Sequence, residues 1–247
     1  MTHESHLWNP LIETLPTEKL RDLQFMKFRR MLDWTYQNSP FYREIYKKAG
    51  LEPGDVKTFD DIKHIPKIEK GMMRDTQEKE PFPYGDILSV PLENVTTFRQ
   101  TSGTTGTPVY HADTWQDMDW YAETWAYVLY AHGYRKTDRV FIPFGYNVYV
   151  AFWSGHYASE KLGCEVVPGG ALDTHARIQK IRELRATALL NTPTYGLHMA
   201  QVAIEMGINP GKDLTIRKMV CAGEPLPEPT RKKLEDLWNA DVYNHIG

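Results

Sequence analysis

Hydrophobic positions change their period near residue 90. Before it, Leu20, Leu23, Phe28, Met31 and Trp34 follow one another at helical spacing. Thr17, a candidate N-cap before Glu18, opens a helix that the pattern ends near Asn38. Ser39-Pro40 supplies a second start, a capping hydroxyl followed by a proline in the first turn. That helix runs through Tyr42 and Tyr46 to a stop at Gly50. From Glu52 to Gly85, punctuation by Pro53, Pro66, Pro81, Pro83 and Gly85 predicts loops. After residue 90 short apolar runs at 95–100, 139–144, 165–168, 187–191 and 216–222 alternate with helix-length segments at 115–131, 150–162, 174–185, 195–206 and 228–238. This alternation predicts an α/β fold, a mixed, mainly parallel sheet flanked by helices. Residues 1–90 thus form a helical lead-in and 91–247 the α/β portion. The last run, 241–247, reads as one more strand entering a turn, with nothing after it to cover its apolar surface. The expectation is a fold truncated by the end of the chain.

Composition narrows the class without naming it. With 41% hydrophobic and 25% charged residues, the chain has the balance of a globular protein and enough length for a real core. A net charge of −3 gives no reason to expect a nucleic-acid partner. No window approaches the roughly 18 apolar residues of a membrane span, and MTHESHLWNP has no basic stretch followed by an apolar one. A cytoplasmic protein fits. Cys164 and Cys221, far apart and each beside a strand-like run, read as buried, reduced thiols. His111, His132, His175, His198 and His245 show no spacing suited to a metal, and His156, alone on a helix, reads as structural. No metal site is expected.

The strongest local signal is Gln100-Thr-Ser-Gly-Thr-Thr-Gly-Thr-Pro108. Five hydroxyl side chains and two glycines fall within 101–107, directly after a predicted strand. Glycine lets backbone N–H groups turn toward an anion, and hydroxyls add donors to phosphate oxygens. The segment is not the GxxxxGK[ST] nucleotide loop, because no Lys-Ser/Thr pair closes it. A flexible surface turn of the same composition is the plain competing reading. The order Thr-Ser-Gly-Thr-Thr-Gly-x-Pro, however, resembles the phosphate-binding signature of adenylate-forming enzymes, although many of those have lysine where this chain has Thr107.

Further segments resemble one branch of that superfamily, the phenylacetate–coenzyme A ligases. They are Asn38-Ser-Pro-Phe-Tyr42, Ala49-Gly50, Ile65-Pro66 before Lys67, Gly145-Tyr146, Gly155-His156-Tyr157, Glu160-Lys-Leu-Gly-Cys164 and Ala222-Gly-Glu-Pro225. They cover nearly the whole chain in the order of the family. The resemblance implies the N-terminal domain of an adenylate-forming enzyme. It also implies two-step chemistry. ATP and a carboxylate form an acyl-adenylate and pyrophosphate, then coenzyme A thiol displaces AMP. A carboxylate is a poor electrophile and the anhydride supplies a leaving group, so the protein mainly positions and stabilises charge. No protein nucleophile is needed.

By the same resemblance, Thr101, Ser102, Gly103, Thr104, Thr105 and Gly106 hold ATP phosphates, and Gly223, Glu224 and Pro225 lie beside adenosine. Asn244, His245, Ile246 and Gly247 stand where the family usually has Asp-x-Tyr-Gly, with isoleucine replacing the tyrosine that packs on adenine. Tyr146, Tyr149, Phe152 and Ala222 line the acyl pocket, whose aromatic walls suit a flat or apolar acid. Ordinary core is an equal reading of Phe152, and Glu224 is read as a binding or structural residue and not a base. No catalytic residue is assigned. The family's adenylation lysine, its magnesium-binding Thr/Ser-Glu pair and its ribose-binding aspartate are expected beyond this sequence, so a fragment of weak or no ligase activity is expected. The substrates and partners implied are ATP with Mg2+, coenzyme A and an aromatic, phenylacetate-like acid, with a homodimer left open. A different acyl acceptor, or a nucleotide-binding module without catalysis, are the alternatives.

Overall fold

Ser39 separates two helices and belongs to both. In the computed structural model, which describes residues 6–101 and 106–245, helix α1 spans Pro10–Glu13, α2 Thr17–Asn38 and α3 Pro40–Lys48. The Ser39 hydroxyl accepts from Tyr42 N at 3.5 Å and lies 3.0 Å from the Asp86 carbonyl, to which it donates. Gly50, at φ +66°, closes α3 in the left-handed conformation. Thr17 is the first helical residue and not the cap, because the extended Pro16 occupies that position with no capping side chain. The buried stripe of α2 also differs from expectation. Leu32 is buried, with Phe25, Phe28 and Tyr36 packed on the same small core, while Met31 and Trp34 are exposed. Spacings of three and four residues put 25, 28, 32 and 36 on one helix face, and 31 and 34 fall beside it.

By contacts the chain divides into two compact units, Pro10–Asp117 and Met118–Gly247 with Met1–Asn9. The first unit also holds α4 (Lys70–Arg74) and an antiparallel hairpin of β1 (Thr97–Gln100) and β2 (Tyr110–Asp113). The segment 101–107 therefore connects two hairpin strands, where a strand leading to a helix was expected. The Arg99–Asp113 ion pair, buried and 2.8 Å from Nε to Oδ2, joins the strands at their inner side.

The second unit is a five-stranded sheet, all parallel. Its strands are β3 (Arg139–Ile142), β4 (Glu165–Pro168), β5 (Ala188–Asn191), β6 (Lys218–Cys221) and β7 (Asp241–Asn244), in spatial order β4-β3-β5-β6-β7. The helices are α5 (Trp115–Ala131), which begins at the end of the first unit, α6 (Val150–Lys161), α7 (Thr174–Leu184), α8 (Pro193–Glu205), α9 (Pro210–Asp213) and α10 (Glu228–Trp238). Strand side chains alternate between two cores. Phe141, Leu189, Met219 and Val242 face the α7, α8 and α10 residues Ile178, Ile181, Met199, Leu234 and Trp238. Val140, Ile142, Leu190 and Val220 face Trp125, Leu129 and Ala158 of α5 and α6. Being apolar on both faces is the signature of a parallel sheet covered on both sides. Burial pushes the thiols of Cys164 and Cys221 up to about 12, so both stay protonated and unreactive at neutral pH. Among the described residues no helix is long and apolar enough to cross a membrane, and no group of three or more His, Cys, Asp or Glu could hold a metal.

Candidate functional site at the carboxyl ends of the parallel strands

The strand order reverses between β3 and β5. The chain leaves β3 through α6 toward β4 on one side, and leaves β5 through α8 toward β6 on the other. The loops at such a switch point diverge and leave a crevice outside the carboxyl ends of the strands. Four loops meet there with little room. A Cβ on Gly170, after β4, would lie 2.5 Å from both the Gly145 Cα and the Phe144 carbonyl, so these backbones touch because Gly170 has no side chain. Arg177 of α7 donates to the carbonyls of Gly169 and Gly170 at 3.0 and 2.9 Å and to the Tyr195 hydroxyl. That guanidinium ties the loop after β4 to the start of α8.

The turn after β6 is fastened in the same way. Ala222 is buried in the core, Gly223 turns the chain at φ +82°, and the Glu224 carboxylate reaches the N-terminus of α8. There it accepts from Thr194 N at 3.2 Å, and the Thr194 hydroxyl lies 2.8 and 2.7 Å from its two oxygens. An acidic group at a helix N-terminus meets unpaired N–H groups and the positive end of the helix dipole. Glu224 thereby clamps its own turn against α8. A cavity of about 550 Å³ opens beside it, lined by Gly223, Glu224, Pro225, Leu226, Pro227, Asn244 and His245. The structure thus brings together Gly223, Glu224, Pro225, Asn244 and His245, drawn from two separate stretches. Ile246 and Gly247 lie outside the described residues.

His245 packs its ring edge-on against Trp125 at 4.2 Å, and His132 stacks on Tyr243 at 4.1 Å. Burial pushes both imidazoles below the usual histidine value, and His245 lowers His132 further by like charge. The unfolded chain therefore binds protons that the folded chain refuses. Stability is expected to fall as pH drops below about 6.5, the unfolded histidine value. Urea midpoints at pH 7.5 and 5.5 check this, and His132→Phe should flatten the difference; an unchanged slope would show that these rings do not set it.

Around the end of β3 the aromatic residues form two groups. Phe152 stacks on Phe144 at 4.4 Å, and Phe144 meets Tyr195 at 5.2 Å. Tyr146 is half-buried, with Trp153 edge-on at 4.9 Å, and its hydroxyl lies 2.9 Å from His156 Nδ1. His156 Nε2 in turn lies 3.2 Å from the Glu160 carboxylate. Burial, with the Glu160 charge adding to it, pushes the Tyr146 phenol well up, so it stays protonated. Tyr149 stands at the N-cap position of α6 without a capping side-chain bond, and is exposed. Sequence reasoning gave Tyr146 and His156 separately; the i, i+4 spacing of His156 and Glu160 was the available signal of a linked group.

In the first unit, Ser102, Gly103, Thr104 and Thr105 lie outside the described residues, and the two ends of their loop are well fixed. Thr101 N donates to the Val109 carbonyl at 3.0 Å, and Val109 N donates to the Thr101 hydroxyl at 3.0 Å. Buried Gln77 holds Pro108 and Tyr110 through its amide. Gly106 adopts φ +133°, and Arg74 Nη1 lies 3.9 Å from the place a Cβ on Gly106 would take. Arg74 was not foreseen, since nothing in the spacing of residues 74 and 106 relates them.

Comparison with known proteins gives one consistent answer. The chain is 32% identical over 236 residues to the phenylacetate-coenzyme A ligase of Pseudomonas putida, covering 96% of this chain and 52% of that protein. It is 31% identical over 241 residues to the enzyme of the same name from Thermus thermophilus, covering 98% and 53%. The chain is related to the phenylacetate–coenzyme A ligases. It spans about half the length of the curated relatives it matches. The structure of 2-hydroxyisobutyryl-CoA ligase with 2-HIB-AMP and CoA, in the thioesterification state, superposes on 99% of this chain and 52% of that one. The TM-score is 0.92 and the identity 26%. The fold is accordingly the α/β fold of adenylate-forming CoA ligases. No protein-family profile matches the sequence.

Proposed function

We propose that this chain carries part of an ATP-dependent ligase that converts a phenylacetate-like aromatic carboxylate to an acyl-adenylate and passes the acyl group to coenzyme A. AMP and pyrophosphate are the other products. The observation that carries this reading is the cavity at the strand ends. It gathers Gly223, Glu224, Pro225, Asn244 and His245, the described residues that the family resemblance assigns to adenosine, at the edge where α/β sheets bind nucleotides. In this reading the Glu224–Thr194 clamp fixes the turn beside the purine. The segment 101–106 gives backbone N–H groups and hydroxyls to the phosphates. Tyr146, Tyr149, Phe152 and Ala222 border the acid. The chain positions reactants, and its two thiols take no part. No described residue is assigned to magnesium.

The test is calorimetric titration of the chain with ATP and AMP, followed by a carboxylate panel scored by pyrophosphate release. Failure of both nucleotides to bind would overturn the reading. An aliphatic hydroxy acid is the second reading, favoured by the 2-HIB-AMP held by the structural relative; the same panel separates the two.

Arg74 enters this function through its place beside Gly106. Thr107 brings no charge to the loop, and a guanidinium on α4 can bond a phosphate through two donors. Arg74→Met is expected to weaken ATP binding about tenfold, the loss of about 1.4 kcal/mol for a charge-assisted bond. AMP binding should change much less, because AMP has no β- or γ-phosphate. Equal losses for both nucleotides would place Arg74 outside the phosphate site.

A further inference from the structure

The first unit holds a second cavity, apart from the one at the strand ends. Its volume is about 830 Å³, within the range of small-molecule sites, and every lining residue falls within Pro10–Asp117. The walls come from α2, the start of α3, the stretch 84–96, β2 and the first turn of α5. None of the residues assigned above to ATP or to the acid is among them.

The lining is aromatic and acidic. Trp34 of α2 and Trp115 of α5 are 49% and 60% exposed, and Tyr42, Tyr84 and Tyr110 add three more rings. Indoles are mostly covered in folded proteins, so two of them half in solvent on one concave surface leave a large ring area for an occupant. Glu93 and Asp117 are the acids, and among the described lining residues there is no lysine or arginine. His111 adds no charge at pH 8, because partial desolvation holds its imidazole below the ordinary 6.5. The N-terminus of α5 brings about half a positive charge to the same wall. Asp117 answers it, accepting from Thr114 N at 2.8 Å and from the Thr114 hydroxyl at 2.7 Å. The charge left over is that of Glu93. Ring faces attract cations through their quadrupole, and a carboxylate on the same surface adds to that field. A ligand bearing phosphate or carboxylate meets repulsion here.

We propose that this cavity binds an organic cation with an apolar body, its ammonium held against the Trp34 and Trp115 rings on the side of Glu93. The proposal stands apart from the ligase reading, since the two share no residue. A quaternary ammonium suits the surface better than a primary one, because a compact primary ammonium is strongly hydrated and carries N–H groups that rings do not satisfy.

The experiment uses the full chain at pH 8 in low salt. Calorimetry compares benzyltrimethylammonium with benzyl alcohol and benzenesulfonate, which offer a similar ring with no charge and with a negative one. The cation is expected to saturate a single site and to bind about tenfold or more tightly than either comparator. Trp34→Leu and Trp115→Leu keep apolar bulk and lose the indole face, and each should weaken the cation about fivefold. Glu93→Gln should cost about twofold, a loss that disappears in high salt. Melting curves check that the variants are folded. No saturable binding of the cation, benzyl alcohol binding equally tightly, or an affinity unmoved in both leucine variants overturns the proposal. Self-association of the parent chain in light scattering, abolished by Trp34→Leu, would give the cavity to a second copy of the chain and overturns it as well. ATP titrated in parallel tests the ligase reading separately, and its affinity should be the same in the parent and in Trp34→Leu.

Discussion

Asp138→Ala is expected to lower the unfolding free energy by about 3–5 kcal/mol, the cost of leaving a buried charge without its partner. Asp138 lies just before β3, with its side chain 2% exposed. Its carboxylate accepts from the Thr187 hydroxyl at 2.7 Å, from Arg135 N at 2.8 Å and from Lys218 Nζ at 3.0 Å. One side chain thereby joins the N-terminal ends of β3, β5 and β6, opposite the edge that carries the candidate site. Alanine leaves the Thr187 hydroxyl and the Arg135 N–H without that acceptor, and leaves an ammonium only 18% exposed, still donating to the Gly133 carbonyl, without its counter-ion. For a chain of this size the effect corresponds to roughly 10 °C in melting temperature. Urea denaturation checks it. Asp138→Ala with Lys218→Met should regain part of the loss, since the second change removes the stranded charge. A single-mutant effect below about 1 kcal/mol would mean that solvent and the Gly133 carbonyl already satisfy Lys218.

Legibility in the sequence followed the strength of the local signal. Helices α5 and α10 and strand β4 stand where the apolar pattern put them, because long amphipathic runs and β-branched pairs leave little choice. Helix α8 begins at Pro193, two residues before the predicted start, and the reason was present in the sequence. Thr192-Pro193 repeats the capping device of Ser39-Pro40, with Thr192 accepting from Tyr195 N. Strand β2 was missed because its inward residue is Asp113. A strand whose core contact is an ion pair shows no apolar alternation, and only the pairing with Arg99 reveals it.

The candidate site divides along the same line. Its glycine and hydroxyl residues were legible because their chemistry is written in consecutive positions. Glu224 was legible as part of a turn, yet its partner Thr194 lies 30 residues away and only the adjacency of β5 and β6 brings them together. Arg74 beside Gly106 and Tyr146 bonded to His156 are likewise products of loop paths. Sequence periodicity describes elements, and these contacts are made by the connections between elements.

Gly106→Val is expected to weaken ATP binding about 10–100-fold while leaving the melting temperature within a few degrees. At φ +133° a β-branched residue meets strain of about 1–3 kcal/mol. The loop cannot shed that strain by sliding, because Thr101 is paired with Val109 and Gln77 grips Pro108 and Tyr110 at its far end. In the proposed phosphate site the strain therefore falls on the segment offered to ATP. Gly106 lies in the loop and packs no core residue, so the cost falls on binding, not on folding. Thr107→Lys should act in the opposite sense, adding a cation beside phosphate and tightening ATP severalfold in low salt, with the gain shrinking as salt is raised. Calorimetry with ATP at two salt concentrations reads both variants. If neither moves the affinity, the hydroxyl-and-glycine loop is not where the triphosphate binds.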